Sequence, residues 1–119
     1  MNVELVDFVA IPTRDVDRAV TFYRDVLGLA PSATTPGEVE TPNVTLSFWN
    51  PEADGEEFVP YVAGIGIRVD DVAEARRELE AKGVPFKGET YDSGVCHMGF
   101  FEDPDGNTVI LHRRYAARG

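Results

Sequence analysis

An internal repeat constrains the fold of this chain more than any other feature of its sequence. Residues 6–29 and residues 63–84 follow the same pattern. Each copy begins with a short apolar run, reaches an Asp-Val pair, continues at helical period, and ends at a glycine followed by an aliphatic residue. A repeat of this kind predicts two structural modules of the same type within one chain.

Each copy of the repeat carries signals for the start and the end of one helix. Asp15 and Asp71 stand where an N-cap belongs, because a carboxylate there can accept a hydrogen bond from a backbone N–H that has no partner within the helix. Gly28 and Gly83 stand where each helical pattern stops, and glycine readily takes the left-handed conformation that ends a helix. The sequence therefore predicts one helix in each module.

Short β-type runs follow each predicted helix. In the first module the clearest run lies at residues 44–49, with more irregular material at 30–42; in the second module the runs lie at 84–91, 95–101 and 108–115. Asp-Pro-Asp-Gly at 103–106 predicts a turn between the last two runs, because proline suits the second turn position and glycine supplies a positive φ.

The predicted order is β-α-β-β-β twice, so the fold class is α+β in a single domain. We expect module 1 at about residues 3–50, an acidic connector at 51–62 and module 2 at about 63–115.

Composition excludes several classes of partner. The formal net charge of −10 disfavours nucleic acid and anionic membranes, both of which attract clustered Lys and Arg. No apolar run is long enough to span a membrane, and the first residues do not have the pattern of a signal peptide. The single cysteine, Cys96, excludes an internal disulfide framework and suits a reducing compartment. We therefore expect a cytoplasmic protein with no nucleic-acid or membrane partner.

Three motifs in the same order as in a known family carry a resemblance. They are DFVAIPTRDVDRAVTFYRDVLGL, GIRVDDVAEARRELEAKGV and FFEDPDGNTVIL. With them, the chain from about Val3 to about His112 resembles the vicinal oxygen chelate superfamily, which includes glyoxalases, bleomycin-resistance proteins and extradiol dioxygenases. The resemblance implies two βαβββ modules whose curled mixed sheet surrounds a shared cavity. It also implies a homodimer.

The resemblance makes the usual metal site of this superfamily testable residue by residue. Metal-dependent members place His, His and Glu where this chain has Phe8, Gly64 and Ile110. None of these three side chains has a lone pair to offer a metal ion. We therefore expect no metal at these positions and no cofactor. The alternative is a divalent metal ion held elsewhere.

Both histidines of the chain fall near the predicted turn. If Asp103–Gly106 form the turn and Glu102 faces Asn107, then His97 lies opposite His112 on one face of the sheet, because side chains on a face recur every second residue. The pair could be displaced metal ligands, a catalytic acid and base, or only a polar spot in a binding pocket.

The sequence thus predicts a cavity lined by Phe8, Phe48, Gly64, Arg68, His97, Ile110 and His112, with Arg68 able to hold an anionic group. The preferred hypothesis is a metal-independent protein that binds a small molecule in this cavity. The alternative is an enzyme of the same fold, a lyase, isomerase or dioxygenase-like catalyst, that uses His97 and His112. A third hypothesis is a non-catalytic interaction module.

Overall fold

The computed structural model describes residues 1–117, and it contains two compact units. The first unit is Met1–Pro60 and the second begins at Tyr61. The boundary between the units lies within the acidic segment 51–62. Both units have the order β-α-β-β-β, so the predicted α+β class and the repeated module are confirmed.

The first unit is one helix packed on a four-stranded sheet. The sheet order is β1-β4-β3-β2, with β1 parallel to β4 and the other neighbouring pairs antiparallel. A short 3₁₀ helix at Pro51–Asp54 follows the last strand. The elements are β1 Phe8–Pro12, α1 Val16–Asp25, β2 Ala30–Pro31, β3 Glu38–Glu40 and β4 Thr45–Trp49.

The second unit repeats this plan with longer strands. The sheet order is β5-β8-β7-β6, with β5 parallel to β8 and the other neighbouring pairs antiparallel. Each sheet is open, with four strands. The elements are β5 Ile65–Arg68, α2 Val72–Ala81, β6 Phe86–Asp92, β7 Cys96–Glu102 and β8 Thr108–Arg114.

The predicted helix signals act as expected. The side chains of Asp15 and Asp71 each accept a hydrogen bond from the backbone amide three residues further along, at 3.0 and 2.9 Å. Gly28 and Gly83 have φ of +74° and +89° after the ends of α1 and α2. These local interactions fix where both helices begin and end.

One face of each sheet is covered by the helix of its own unit. In the first unit Tyr23 of α1 is buried against Phe48 of β4, with ring centroids 4.8 Å apart. In the second unit Val109, Leu111 and Phe101 are buried on the side of the sheet that α2 covers. Within residues 1–117 each unit has a single α-helix, so the other face of each sheet has no α-helix of its own unit against it. We call this second face the open face.

The loop at 103–107 sets the register of the last hairpin. The Asp103 amide donates to the Asn107 carbonyl at 2.9 Å, which leaves a three-residue loop whose last residue, Gly106, has φ of +85°. Three-residue hairpin loops typically place glycine there. Glu102 therefore pairs with Thr108, and the predicted pairing of Glu102 with Asn107 is wrong by one residue.

The buried side chain of Asn107 holds this loop in place. Its Nδ2 donates to Asp103 Oδ2 at 2.8 Å, and its Oδ1 accepts from the Tyr61 amide at 2.7 Å. The Thr108 amide donates in turn to the Tyr61 carbonyl at 2.9 Å. Asn107 thus closes the loop opposite Asp103 and precedes β8, because its side chain bonds both the Asp103 carboxylate and the Tyr61 amide there.

Candidate functional site

The two histidines lie on opposite faces of the second sheet. His97 pairs with Arg113, and His112 pairs with Met98. The predicted juxtaposition of His97 and His112 is therefore wrong, because the one-residue change of register at the loop moves His97 to the face that α2 covers. The catalytic and metal-binding roles suggested for the two histidines together do not fit this arrangement.

The open face of the second sheet brings together two rows of side chains. One row runs Arg68, His112, Met98 and Tyr91 across four strands. The next row contains Gly66, Ile110, Phe100 and Lys87. Met98, Phe100, Ile110 and His112 are half-buried, whereas Arg68 and Tyr91 are exposed. The open face of the second sheet thus combines an apolar centre with an imidazole and a guanidinium at its edge.

Arg68 is available to a ligand. Within residues 1–117 its guanidinium makes no hydrogen bond or ion pair. Lys87, in contrast, is paired with Glu102 at 2.8 Å. An unpaired guanidinium beside an apolar surface is suited to a carboxylate or another planar anion, which it can hold with two parallel hydrogen bonds.

Two of the positions at which the resemblance implies metal ligands, Gly64 and Ile110, lie side by side in the second unit, and neither has a donor side chain. Gly64 has φ of +111°, and a Cβ added to it would lie 2.7 Å from Ile110 Cδ1. The Ile110 side chain therefore occupies the space that a ligand side chain at position 64 would need. Across residues 1–117, no three His, Cys, Asp or Glu side chains lie close enough together to hold a metal ion.

Of the two cavity residues predicted in the first unit, one lies on the open face. Phe8 is on the open face of the first sheet, opposite Thr45, and its side chain is 56% exposed. Phe48 lies on the other face, where it is 7% exposed and packs against Tyr23. Phe48 is therefore a core residue, and its predicted place in the cavity wall is corrected by the alternation of side chains along β4.

His97 belongs to a hydrogen-bonded cluster on the helix side of the second sheet. Its Nε2 lies 3.2 Å from Asp92 Oδ2, and its ring stacks on Tyr115 with centroids 4.6 Å apart. The Tyr115 hydroxyl donates to Asp92 Oδ1 at 2.8 Å. We call these three residues the Asp92 cluster.

Hydrogen bonds shift the pKa of two residues of this cluster, Asp92 and Tyr115. The backbone amide of Gly94 and the hydroxyl of Tyr115 both donate to Asp92, and together they hold the pKa of that carboxyl below its ordinary value. The hydrogen bond that Tyr115 donates to Asp92 also raises the pKa of the Tyr115 hydroxyl above its ordinary value. Asp92 is thus an anion at neutral pH that can orient the His97 ring, an arrangement suited to general acid–base chemistry.

The Asp92 cluster borders a cavity of about 390 Å³. His97, Arg113 and Tyr115 form one side of this cavity, and Asp70, Asp71 and Val72 at the start of α2 form another. Its volume is in the range of small-molecule sites. We call it the helix-side cavity.

The sequence contained signals for the residues that we did not predict. Asp92 was not predicted, but it is separated from His97 only by residues 93–96, and residues on the two sides of such a short segment can pair across a hairpin, as they do here. Arg113 and Met98 were missed for one reason, the register error at the loop. Correct placement of a three-residue loop would have moved both to the faces that they occupy.

Two open βαβββ modules define an α+β protein built from a repeated unit. The chain belongs to the Glyoxalase/Bleomycin resistance protein/Dioxygenase superfamily, whose family model matches residues 5–111. The predicted family is confirmed. No curated protein matches this chain.

Solved structures share the fold at low sequence identity. An antibiotic binding protein, TnmS3 from Streptomyces sp. CB03234, superposes with a TM-score of 0.80 at 24% identity, over 96% of this chain and 98% of that one. A lactoylglutathione lyase from Agrobacterium tumefaciens superposes with a TM-score of 0.76 at 22% identity, over 93% of this chain and 94% of that one. At these identities the likeness establishes the fold alone. Among residues 1–117, no helix combines the length and the apolar character that crossing a membrane requires.

Proposed function

We propose that this protein binds a small organic molecule without a metal ion, and that the ligand lies on the open face of the second sheet. The observation that carries the proposal is the combination of half-buried Met98, Phe100 and Ile110 with the guanidinium of Arg68, which has no partner within residues 1–117. Such a surface suits a ligand with an apolar body and one anionic group.

Two further observations support binding without a metal. The positions of the family's metal ligands carry Gly64 and Ile110 in this unit, and Ile110 fills the space beside Gly64. One neighbour in fold is described as an antibiotic binding protein.

The single cysteine is in keeping with a reducing compartment, so we extend the proposal to a cytoplasmic binding protein.

A thermal-shift screen in the presence of a chelator tests this proposal. The library contains aromatic carboxylates and sulfonates, with amines of the same ring size as a matched set. A ligand at about one hundred times its Kd stabilises the folded state by about 2.7 kcal/mol, which corresponds to a rise in melting temperature of roughly 10 °C for a domain of this size. We expect hits among the anions and not among the amines.

Variants then locate the binding site of any hit. Arg68→Gln should weaken binding of an anionic hit about tenfold, because it removes a charge-assisted pair. Arg77→Gln is the matched control, since Arg77 lies on exposed helix surface and pairs with Glu74. Hits that need added metal, or that are insensitive to Arg68→Gln, would contradict the proposal.

The alternative is an enzyme, and one observation favours it. Beside the helix-side cavity, Asp92 Oδ2 lies 3.2 Å from His97 Nε2. In this position the carboxylate could orient the His97 imidazole, which would act as the general base. If the protein is such an enzyme, turnover of a carbonyl substrate is lost in His97→Ala and kept in His112→Ala. Loss of turnover in His112→Ala alone would instead assign catalysis to the open face. Turnover in both variants would show that neither histidine is catalytic.

We also propose a homodimer. The support is the family's pairing of modules and the number of large apolar side chains exposed in the single chain, among them Val3, Leu5, Phe8 and Val62. Light scattering after gel filtration should give twice the mass of the chain. A mass equal to that of one chain at micromolar concentration would contradict this proposal.

A further inference from the structure

The helix-side cavity carries two opposite charges that do not neutralise each other. Asp70 and Arg113 both line it, yet neither makes an ion pair or hydrogen bond with another residue in the described part of the chain, residues 1–117. Asp71, the neighbouring acid, is already engaged, because its carboxylate caps α2 by accepting from the Glu74 amide. The cavity therefore offers one anion and one cation to a ligand.

An aromatic surface lies beside these charges. The rings of His97 and Tyr115 stack at 4.6 Å with an interplanar angle of 33°, and Tyr115 is 50% exposed. The hydrogen bonds of both residues to Asp92 fix the orientation of this surface. A ligand would meet two aromatic rings held in place by Asp92 and not a mobile side chain.

We propose that the helix-side cavity is a second binding site, specific for a small zwitterion with a flat apolar group, such as a free aromatic amino acid. The ammonium group of the ligand pairs with Asp70 and its carboxylate pairs with Arg113. Its ring packs against the stacked His97 and Tyr115. Each charged group of the ligand thereby gains a partner that residues 1–117 leave unpaired.

This site is independent of the site on the open face. The two lie on opposite sides of the second sheet, since His97 and Arg113 point to the helix side and Arg68 and His112 point away from it. Loss of binding at one site therefore leaves the other intact, and each proposal can fail alone.

The test uses L-phenylalanine as the probe on the full chain, with binding followed by NMR chemical shifts of the backbone amides. Two ring-matched compounds each lack one charge: 2-phenylethylamine has no carboxylate and 3-phenylpropionate has no amine. We expect saturable shifts at His97 and Tyr115 with phenylalanine, and binding that is about tenfold weaker for each of the other two compounds.

Two charge-neutralising variants should give a crossed pattern. Asp70→Asn weakens phenylalanine and 2-phenylethylamine about tenfold and leaves 3-phenylpropionate unchanged. Arg113→Gln weakens phenylalanine and 3-phenylpropionate and leaves 2-phenylethylamine unchanged. Arg68→Gln, on the open face, changes none of the shifts at His97 and Tyr115.

Three results would overturn the proposal. The first is the absence of saturable shifts at these residues up to about 10 mM phenylalanine, a concentration that would detect even millimolar affinity. The second is equal binding of all three compounds, which would indicate a site without charge selectivity. The third is binding of phenylalanine that survives both variants. Should Arg113→Gln fail to fold, the comparison of the three compounds on the wild-type chain decides the question.

Discussion

Replacing Gly64 with alanine tests whether Ile110 occupies the space that a side chain at position 64 would need. Gly64 has φ of +111°, a conformation that strains any L side chain, and an added Cβ would lie 2.7 Å from Ile110 Cδ1 and 3.1 Å from Ile110 Cγ1. The backbone strain should cost about 1–2 kcal/mol, and the overpacking about 1–2 kcal/mol more. We expect Gly64→Ala to lower the free energy of unfolding by about 2–4 kcal/mol.

A double-mutant cycle separates these two costs. Ile110→Ala removes both contacting atoms, so in that background Gly64→Ala should cost only the backbone strain of about 1–2 kcal/mol. The coupling energy between the two positions is then about 1–2 kcal/mol, within the range known for residues in contact. Urea unfolding of the four proteins, followed by circular dichroism, measures all the terms.

The chain offers a matched control for this experiment. Gly66 lies two residues along on the same face, and an added Cβ there would meet nothing within 4 Å. Gly66→Ala should change the free energy of unfolding by less than about 0.5 kcal/mol. If Gly64→Ala is as stable as Gly66→Ala, or if its cost is the same with and without Ile110, then Ile110 does not occupy this space and our reason for excluding a ligand side chain at position 64 fails.

Four other substitutions probe the loop, the helix side and the first unit. Asn107→Asp replaces the amide that donates to Asp103 with a second carboxylate, so it should lower the free energy of unfolding at pH 7 by about 3 kcal/mol. Urea unfolding at pH 7 would contradict this if the variant matches wild type. The pKa of Asp92 lies below its ordinary value of 3.8, so its contribution to stability is present above that value and is lost as pH falls through the lower folded-state pKa. Asp92→Asn should therefore flatten the pH dependence of the free energy of unfolding in this acid range. An unchanged pH profile would contradict the lowered pKa of Asp92. Phe48→Ala should lower the free energy of unfolding by about 3–5 kcal/mol, and Phe8→Ala by less than about 1 kcal/mol, as measured by urea unfolding. Equal losses of stability would show that the two faces of the first sheet are assigned wrongly.

The parts of the fold that were predicted correctly depend on interactions between residues close in sequence. Asp15 and Asp71 each bind an amide three residues away, and Gly28 and Gly83 end the helices through their own backbone conformation. Such signals are complete within a short window of sequence. Two copies of the same window were therefore sufficient to predict the order of elements in both units.

The register of the last hairpin depends on an interaction that no short window contains. Asn107 was counted as the first residue of a strand, but its side chain accepts a hydrogen bond from the amide of Tyr61, 46 residues earlier in the chain. This contact and the bond to Asp103 keep Asn107 in the loop and shift every later residue by one position. The buried side chain of Asn107 thus decided which face of the second sheet His97 shares with the residues of β8.

The shift of register has a consequence for any chemistry assigned to the two histidines. In the predicted register His97 and His112 would have acted as one unit, and removing either would have cost nearly as much as removing both. In the structure His97 interacts with Asp92 and Tyr115 on the helix side, whereas His112 lies between Arg68 and Met98 on the open face. Side chains that share no partner contribute independently to stability and to binding. The effects of His97→Ala and His112→Ala should therefore add in the double variant, and a non-additive result would mean that the two faces of this sheet communicate.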